Sequence, residues 1–159
     1  MTTAQFKSNI ILLDYYDGAN GPTFRIDVMA PERLEQLKST FVDLRDGTRQ
    51  QVDLLRFERL KIPSKIKQVI LSLDLSKGRI RNSLHVMKSG DGFSFEWSGN
   101  SGHWDICAGL IDGLLISESP GHLYLSNEAI DDAIIELTFS PVHESDLNYR
   151  VVNCFIRKI

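Results

Sequence analysis

Two periods of apolar residues alternate along this chain, and each change of period marks a predicted element. The apolar run at residues 9–16 ends in the turn-forming stretch 17–22, and residues 24–28 then alternate apolar and polar side chains. Both runs have the pattern of strands. From Pro31 to Gly47 the period changes to three or four residues. This change predicts a helix whose buried face carries Leu34, Leu37, Phe41 and Leu44.

The rest of the chain continues this mixture of patterns. A second helix is predicted over residues 101–117, with an apolar stripe made of Trp104, Cys107, Ile111, Leu114 and Leu115. Gly90-Asp91-Gly92 is a strong hairpin signal between two alternating runs. Alternating runs between turn signals predict strands at 52–57, 68–75, 82–88, 93–98, 122–126, 133–139 and 149–157.

Both halves therefore have the predicted order strand, strand, helix, strand, strand. Residues 24–26 (Phe-Arg-Ile) align with residues 95–97 (Phe-Glu-Trp), although so simple an order also recurs by chance. We predict an α+β fold, with a mainly antiparallel sheet and two helices on one face, built as a pseudo-duplicated ββαββ unit. Residues 1–159 are expected to form a single compact domain with structural halves 1–80 and 81–159.

The composition is that of an ordinary water-soluble protein. Of the 159 residues, 42% are hydrophobic and 25% are charged, so a core can form without disulfides or metals. The start of the chain lacks the features of a signal peptide, and no apolar run approaches the roughly 20 residues that span a bilayer. Cys107 and Cys154 have apolar neighbours, which favours reduced thiols over a disulfide. We therefore expect a cytoplasmic protein that does not enter the membrane.

Charge is divided unevenly between the halves. Residues 1–80 contain 13 Lys and Arg against 10 Asp and Glu, whereas residues 81–159 contain 5 against 11. An acidic surface attracts basic partners and repels nucleic acid and anionic lipid, although acidic residues also serve solubility alone. The basic stretch 49–81 has only one aromatic residue that could stack on bases, Phe57, and the net charge of the chain is negative, so nucleic-acid binding is not expected.

No familiar catalytic motif is present. The chain lacks the glycine-rich phosphate loops, the zinc-protease and serine-hydrolase signatures and any C-x-x-C pair. His103 and Cys107 are one helical turn apart, a spacing that suits zinc, but Cys107 also belongs to the apolar stripe, so a core position is the better interpretation. An enzyme of unfamiliar type would have to use His103, His122 and nearby carboxylates. We expect no cofactor, no metal site and no catalytic residues.

Two glycines in the second predicted helix need a physical reason. Gly109 and Gly113 are four residues apart, and a glycine inside a helix costs about 1 kcal/mol relative to alanine. We expect the backbone of the sheet or of another helix to approach closely at these positions.

A binding surface is the remaining candidate site. His122 and Tyr124 are predicted to point away from the core, and so are Ile134, Glu136 and Thr138 of the next strand. The corresponding outer positions of the 82–98 hairpin, expected on the same face, are His85, Met87, Ser94 and Glu96. Such a mixture is common at protein contacts, although an ordinary wetted sheet face has a similar one. Together with acidic residues of the flanking loops, the predicted binding residues are Glu118, His122, Tyr124, Glu128, Asp131, Asp132 and Glu136.

Residues 102–139 resemble a known family. They lead from a helix through Ser119-Pro120-Gly121-His122-Leu123-Tyr124-Leu125 and an acidic loop into a strand with Ile134-Ile135-Glu136-Leu137. This order is similar to that of the immunity proteins of bacterial polymorphic and contact-dependent toxin systems, over about 40 of the 159 residues. The resemblance implies a non-catalytic protein that neutralises a cognate toxin by covering its active site.

Three functions follow from these patterns. The first is a protein-binding module, an immunity protein whose acidic half docks on a basic toxin. The alternatives are the enzyme described above and a small-ligand or regulatory domain that uses the outer face around His85 and Tyr124. A deep cleft with converging His and Asp side chains would favour the enzyme, and a flat acidic face would favour protein binding.

Overall fold

The computed structural model describes residues 11–57, 60–63, 65–117, 119–125 and 132–140. These residues form the helices α1 (Pro31–Asp46) and α2 (Ser101–Ser117). The strands are β1 (Ile11–Gly18), β2 (Gly21–Val28), β3 (Gln51–Asp53), β4 (Leu60–Lys61), β5 (Ile66–Asp74), β6 (Asn82–Ser89), β7 (Gly92–Asn100), β8 (Gly121–Tyr124) and β9 (Ile134–Phe139). The predicted α+β class is confirmed, and the strand predicted at 149–157 lies outside the described residues.

Both helices begin and end where the sequence predicts. Pro31 occupies the first turn of α1, and Gly47 ends the helix in the left-handed conformation at φ 73°, which glycine adopts without strain. At the start of α2 the His103 N–H donates to the Asn100 side-chain oxygen at 3.2 Å, so a helix-end donor is satisfied. No helix of the described part of the chain is long and apolar enough to cross a bilayer.

One predicted strand is shorter than expected. Residues 52–57 were predicted to be extended, but β3 ends at Asp53 and a 3₁₀ turn follows at Leu54–Arg56. The cause is local, because the Asp53 carboxylate accepts a hydrogen bond from the Leu55 N–H at 3.0 Å. This short-range bond competes with strand pairing and turns the chain.

The strands lie in two sheets rather than in one. The five-stranded sheet has the order β4-β1-β2-β9-β8, and the four-stranded sheet has the order β3-β5-β7-β6. Antiparallel pairs dominate within each half, whereas the parallel pairs β2–β9 and β5–β7 join one half to the other. Each sheet therefore combines the hairpin of one half with the last strands of the other half.

The predicted pseudo-duplication is visible in this topology. Ile11 pairs with Val28 in the β1–β2 hairpin, and Asn82 pairs with Gly99 in the β6–β7 hairpin. Each residue of the second pair therefore lies 71 positions after its counterpart in the first pair. The buried positions of the two helices correspond as well, with Leu34, Leu37, Phe41 and Leu44 in α1 matching Trp104, Cys107, Ile111 and Leu114 in α2. Apart from the two-residue β4 of the first half, both halves follow the order ββαββ, and they exchange strands.

One hydrophobic core contains side chains from both sheets and both helices. Phe24 of β2 stacks on Phe95 of β7 with ring centroids 4.6 Å apart, so corresponding residues of the two halves meet directly. Trp97 and Trp104 are 4.9 Å apart, and the Phe41 ring lies 5.3 Å from Trp104. Both tryptophans are almost completely buried, as the sequence predicts.

The two helices pack against each other in antiparallel directions. Lys38 forms an ion pair with Asp112, and the Arg45 guanidinium lies 3.1 Å from the Asp105 carboxylate. The Ser101 hydroxyl also donates to the Arg45 carbonyl at 2.9 Å. Exposed ion pairs contribute little to stability, so the buried apolar residues provide most of the stabilisation of this contact.

The expected backbone approach at Gly109 and Gly113 is wrong for the described chain. A Cβ atom placed on either glycine would meet no atom within 4 Å, because both residues lie on the exposed face of α2. A close approach occurs instead at Gly99, where a Cβ atom would lie 2.3 Å from Cδ2 of His103. Only glycine fits there without a shift of the His103 ring.

We predict that Trp104→Ala lowers the free energy of unfolding by about 3–5 kcal/mol, because the side chain is fully buried between Phe41 and Trp97. The matched control is Ile116→Ala on the same helix, where the side chain is 84% exposed and little should change. Urea denaturation measures both variants. A Trp104→Ala protein as stable as the control would show that this core is misassigned.

Candidate functional site

The outer face of the five-stranded sheet carries the main cluster of polar side chains, named here the outer sheet face. The strand register aligns its residues in rows across the sheet. In one row Asp14, Arg25, Glu136 and Tyr124 are successive neighbours on β1, β2, β9 and β8. The adjacent rows supply the remaining members, which are Tyr16, Asp27, Thr138 and His122.

Strict alternation along each strand directs these side chains outward. In β2, Phe24, Ile26 and Val28 are buried in the core, whereas Arg25 and Asp27 are partly exposed. In β9, Leu137 and Phe139 are buried, whereas Glu136, before Leu137, and Thr138, between the two, are partly exposed. The apolar residues fix the sheet on the core, so the polar residues are held rigidly on the opposite side.

Arg25 is at the centre of the outer sheet face. Its register neighbours are Asp14 on one side and Glu136 on the other, and its guanidinium lies 5.3 Å from the centre of the Tyr16 ring. The Tyr16 hydroxyl donates to Glu136 Oε2 at 3.2 Å. The pKa of Tyr16 is raised, mainly by burial of the side chain. The positive charge of Arg25 lowers this pKa, whereas Glu136 raises it further. The phenol therefore keeps its proton at neutral pH and remains a hydrogen-bond donor.

An exposed aromatic pair lies at the β8 side of this face. His122 and Tyr124 have ring centroids 5.6 Å apart, and Tyr124 is 55% exposed. Large aromatic side chains with a polar tip are enriched among the residues that dominate protein interfaces. The face thus offers a rigid charged centre and an accessible aromatic edge.

Three of the predicted binding residues, His122, Tyr124 and Glu136, come together on this surface. Asp132 is exposed but has a structural contact at the edge of the other sheet: its carboxylate accepts from the Val86 N–H at 2.9 Å, and its own N–H donates to the Leu84 carbonyl at 3.0 Å. The other predicted acids, Glu118, Glu128 and Asp131, lie outside the described residues.

The predicted extension of this face onto the 82–98 hairpin is wrong. His85, Met87, Ser94 and Glu96 lie on β6 and β7, which belong to the four-stranded sheet. His85 and Tyr124 therefore belong to different sheets and do not share one sheet face. Ile134 was also predicted to face solvent, but it is only 8% exposed beside its register partner Thr23, which is buried too.

Asp14, Tyr16, Arg25 and Asp27 were not among the predicted site residues. They belong to the first half of the chain and join the site only because β2 pairs in parallel with β9. The available signal is the strict alternation Phe24-Arg25-Ile26-Asp27-Val28, which gives two charges on the solvent side of one strand. That signal predicts outward charges but does not identify the neighbouring strand.

His103 and Cys107 occupy the core, as the apolar stripe indicates. His103 Nε2 lies 3.5 Å from the Cys107 sulfur, and the His103 ring packs against Trp97 and Trp104. Burial lowers the pKa of His103 to about 4 and raises the pKa of Cys107 to about 12. Neither group is prepared for acid–base or nucleophilic chemistry near neutral pH.

The enzyme alternative uses His103, His122 and nearby carboxylates, and the two histidines lie in different surroundings. His103 is buried beneath Gly99, whereas His122 is exposed on the outer sheet face. Among the described residues no group of three or more His, Cys, Asp or Glu side chains is arranged to hold a metal ion. Cys107 is a buried free thiol, and Cys154 lies outside the described residues.

A separate cleft of about 750 Å³ lies between α1 and the β3–β5 edge. Its polar lining includes the amides of Gln36, Gln51 and Gln68 and the guanidinium groups of Arg49 and Arg56. Arg49 is paired with Asp43 at 3.7 Å, and Asp53 is engaged by the 3₁₀ turn. None of the predicted site residues borders this cleft.

Comparison of the chain with protein-family models, with curated proteins and with solved structures finds no match. The outer sheet face is therefore the feature of the chain from which a function can be inferred.

The lowered pKa of His103 makes stability depend on pH. The folded state favours the neutral ring, so the unfolded chain takes up a proton at its usual pKa near 6.5 while the folded chain resists protonation until about pH 4. The stability is not reduced by His103 above pH 6.5. It decreases as the pH falls below that value, and the loss is about 2 kcal/mol at pH 5. We predict that, between pH 7 and pH 5, the free energy of unfolding decreases less in the His103→Gln protein than in the unchanged protein. The difference should be about 2 kcal/mol, because glutamine does not titrate. Urea denaturation at both pH values measures this, and equal losses in the two proteins would contradict the assignment.

Proposed function

We propose that this chain is a non-catalytic protein-binding module of the immunity-protein type. In this proposal it acts in the cytoplasm and neutralises a cognate bacterial toxin by covering a basic surface of the toxin with the outer sheet face. The observation that supports it most is the row of Asp14, Arg25, Glu136 and Tyr124, which crosses four neighbouring strands. Such a row presents a broad, pre-organised surface rather than a pocket.

The charges of this surface favour a basic partner. The carboxylates of Asp14, Asp27 and Glu136 outnumber the Arg25 guanidinium, and Lys65 reaches only the Asp14 edge, at 3.9 Å. Asp14 and Asp27 come from the first half of the chain and Glu136 from the acidic second half. Opposite potentials increase the rate of encounter and orient the partner before contact. An active-site region of a nuclease toxin, which must bind phosphates, has the complementary charge.

The arrangement of the side chains supports binding more than catalysis. Glu136 accepts a hydrogen bond from Tyr16, and Arg25 lies beside the Tyr16 ring and between Asp14 and Glu136 in the strand register, so the charged groups already have neighbours in the unbound chain. Pre-organised side chains lose little entropy when a partner docks. The exposed Tyr124 ring at the β8 edge is then the natural aromatic anchor of a contact, since tyrosine combines a large apolar area with a hydroxyl.

We predict that two substitutions on the outer sheet face weaken a partner captured from native cells with the tagged chain. Glu136→Gln removes charge but keeps an acceptor for Tyr16, so it should slow association about threefold or more at low salt, with a smaller effect at high salt. Tyr124→Ser should accelerate dissociation about tenfold or more, because an aromatic anchor is lost. Surface-binding kinetics measure both rates.

Matched controls lie elsewhere on the surface. Glu35→Gln removes an exposed charge from α1, and Met87→Ser removes a side chain that is 42% exposed on β6. Both controls should bind as the unchanged protein does, and all four variants should keep its thermal stability within a few degrees. Equal losses in the controls, or association that does not depend on salt, would contradict docking through this face.

A further inference from the structure

A second cleft, of about 400 Å³, opens at the end of the four-stranded sheet, where the loop after β5 returns to β6. Its border includes Arg79 and Arg81 of that loop, and Ser83 and Ser98 of β6 and β7. Sites for small molecules have volumes of roughly 300–1,000 Å³. The cleft is therefore large enough for a small ligand, and none of the residues named for the outer sheet face borders it.

Asn100 fixes the backbone that carries both arginines. Its side chain belongs to a residue that is only 3% exposed. The side-chain amide donates to the Arg79 carbonyl at 2.7 Å, and the side-chain oxygen accepts from the Arg81 N–H at 3.1 Å. The Asn100 N–H also donates to the Arg81 carbonyl at 3.0 Å. These hydrogen bonds to one buried residue hold the loop on both sides of Ile80, so the two arginines leave the backbone from fixed positions.

The two serines form the floor of the cleft. Ser83 and Ser98 are register partners on β6 and β7. Each is the sequence neighbour of a core residue, Leu84 or Trp97, whose side chain is buried on the other side of the sheet. Because successive side chains of a strand point to opposite faces, both serines point toward the cleft. Both are partly exposed, so their hydroxyl groups can donate hydrogen bonds to a ligand.

The cleft has an excess of positive charge. Both arginines are exposed, and no ion pair between described residues uses either guanidinium. Asp74 is the only acidic residue among the described residues of the border, and its carboxylate already accepts from the Ser76 N–H at 2.8 Å. Ile80 borders the cleft and packs on Gly102 in the first turn of α2, so the positive end of the helix dipole lies on this side.

The related first half of the chain does not share these features. By the offset of 71 residues between the two hairpins, Ser98 corresponds to Asp27 and Asn100 corresponds to Met29. The first half thus has a carboxylate where the cleft has a hydroxyl, and a buried thioether where the cleft has an amide. The ββαββ order forms with either pair of residues, so the fold does not require the amide and the hydroxyl of the cleft.

We propose that this cleft binds a phosphate group, either the free ion or the phosphate of a small organic molecule. The guanidinium groups of Arg79 and Arg81 present N–H donors in the planar fork that matches phosphate oxygens, and the serine hydroxyls add donors from the sheet below. A tetrahedral anion can use donors from both directions, whereas one guanidinium satisfies a planar carboxylate. Because Asn100 fixes the loop before binding, less entropy is lost when the ligand enters. The cleft and the outer sheet face belong to different sheets, so this inference does not depend on the proposed function.

Titration of the ¹⁵N-labelled full chain with inorganic phosphate, followed by NMR at neutral pH and constant ionic strength, tests the proposal. We expect saturable shifts of the backbone amides of Arg79, Arg81, Ser83 and Ser98. The dissociation constant should be on the order of 1 mM, because both guanidinium groups are hydrated before binding. A second titration with ribose 5-phosphate distinguishes the two sources of phosphate. Binding about threefold tighter or more indicates a phosphorylated small molecule, equal binding indicates the free ion, and both results support the site.

Two variants should weaken phosphate binding. Arg81→Gln removes one guanidinium and should raise the dissociation constant about threefold or more. Ser98→Asp places a carboxylate on the floor of the cleft and should raise it about tenfold or more, because like charges repel. The corresponding Asp27 of the first half shows that a strand of this kind accepts an aspartate at that position.

The matched control is Arg56→Gln, which removes an equally charged, exposed side chain beside the other cleft. This protein should bind phosphate as the unchanged protein does, and all three variants should keep a cooperative thermal melt. Shifts that do not saturate by about 20 mM phosphate would overturn the proposal. An equal loss of binding in the Arg56→Gln protein would also overturn it, since phosphate would then respond only to the overall charge of the chain.

Discussion

The parallel pairing of β2 with β9 and of β5 with β7 is the constraint on which the rest of the structure depends. Each hairpin pairs with the last strands of the other half of the chain, and of the described strands only the two-residue β4 joins a hairpin of its own half. The core follows from this exchange, because it brings Phe24 onto Phe95 and encloses Trp97 with Phe41. The outer sheet face follows as well, since Arg25 and Glu136 are neighbours only through the β2–β9 pair.

Features set by local periodicity could be predicted from the sequence. The helix at Pro31–Asp46 has a proline at its start, a left-handed glycine after its end and four apolar residues at helical spacing, so each signal agrees with the others. The division of the strands into two sheets could not be predicted, because alternation within a strand does not specify its neighbour. The shortened β3 depends on one side-chain hydrogen bond of Asp53, which a pattern of apolar residues does not contain.

In the candidate site too, local periodicity predicted the direction of the side chains but not the neighbouring strands. His122, Tyr124 and Glu136 were expected to face outward from alternation, and they do. Their neighbours Asp14 and Arg25 come from strands of the first half of the chain, and the hairpin residues around His85 were assigned to the wrong sheet for the same reason. Gly109 and Gly113 were expected to lie against the backbone of the sheet or of another helix, and that expectation was wrong, because no described element lies over them.

The strand exchange can be tested directly with the two halves, since both tryptophans, Trp97 and Trp104, lie in residues 81–159. The measurement is the tryptophan emission of residues 81–159 titrated with residues 1–80. The account predicts that residues 81–159 alone emit as solvent-exposed tryptophans do, because the partner strands and Phe41 are missing. Addition of residues 1–80 should shift the emission to the blue and saturate at one to one. A blue-shifted emission with a cooperative melt from residues 81–159 alone would contradict the exchanged fold.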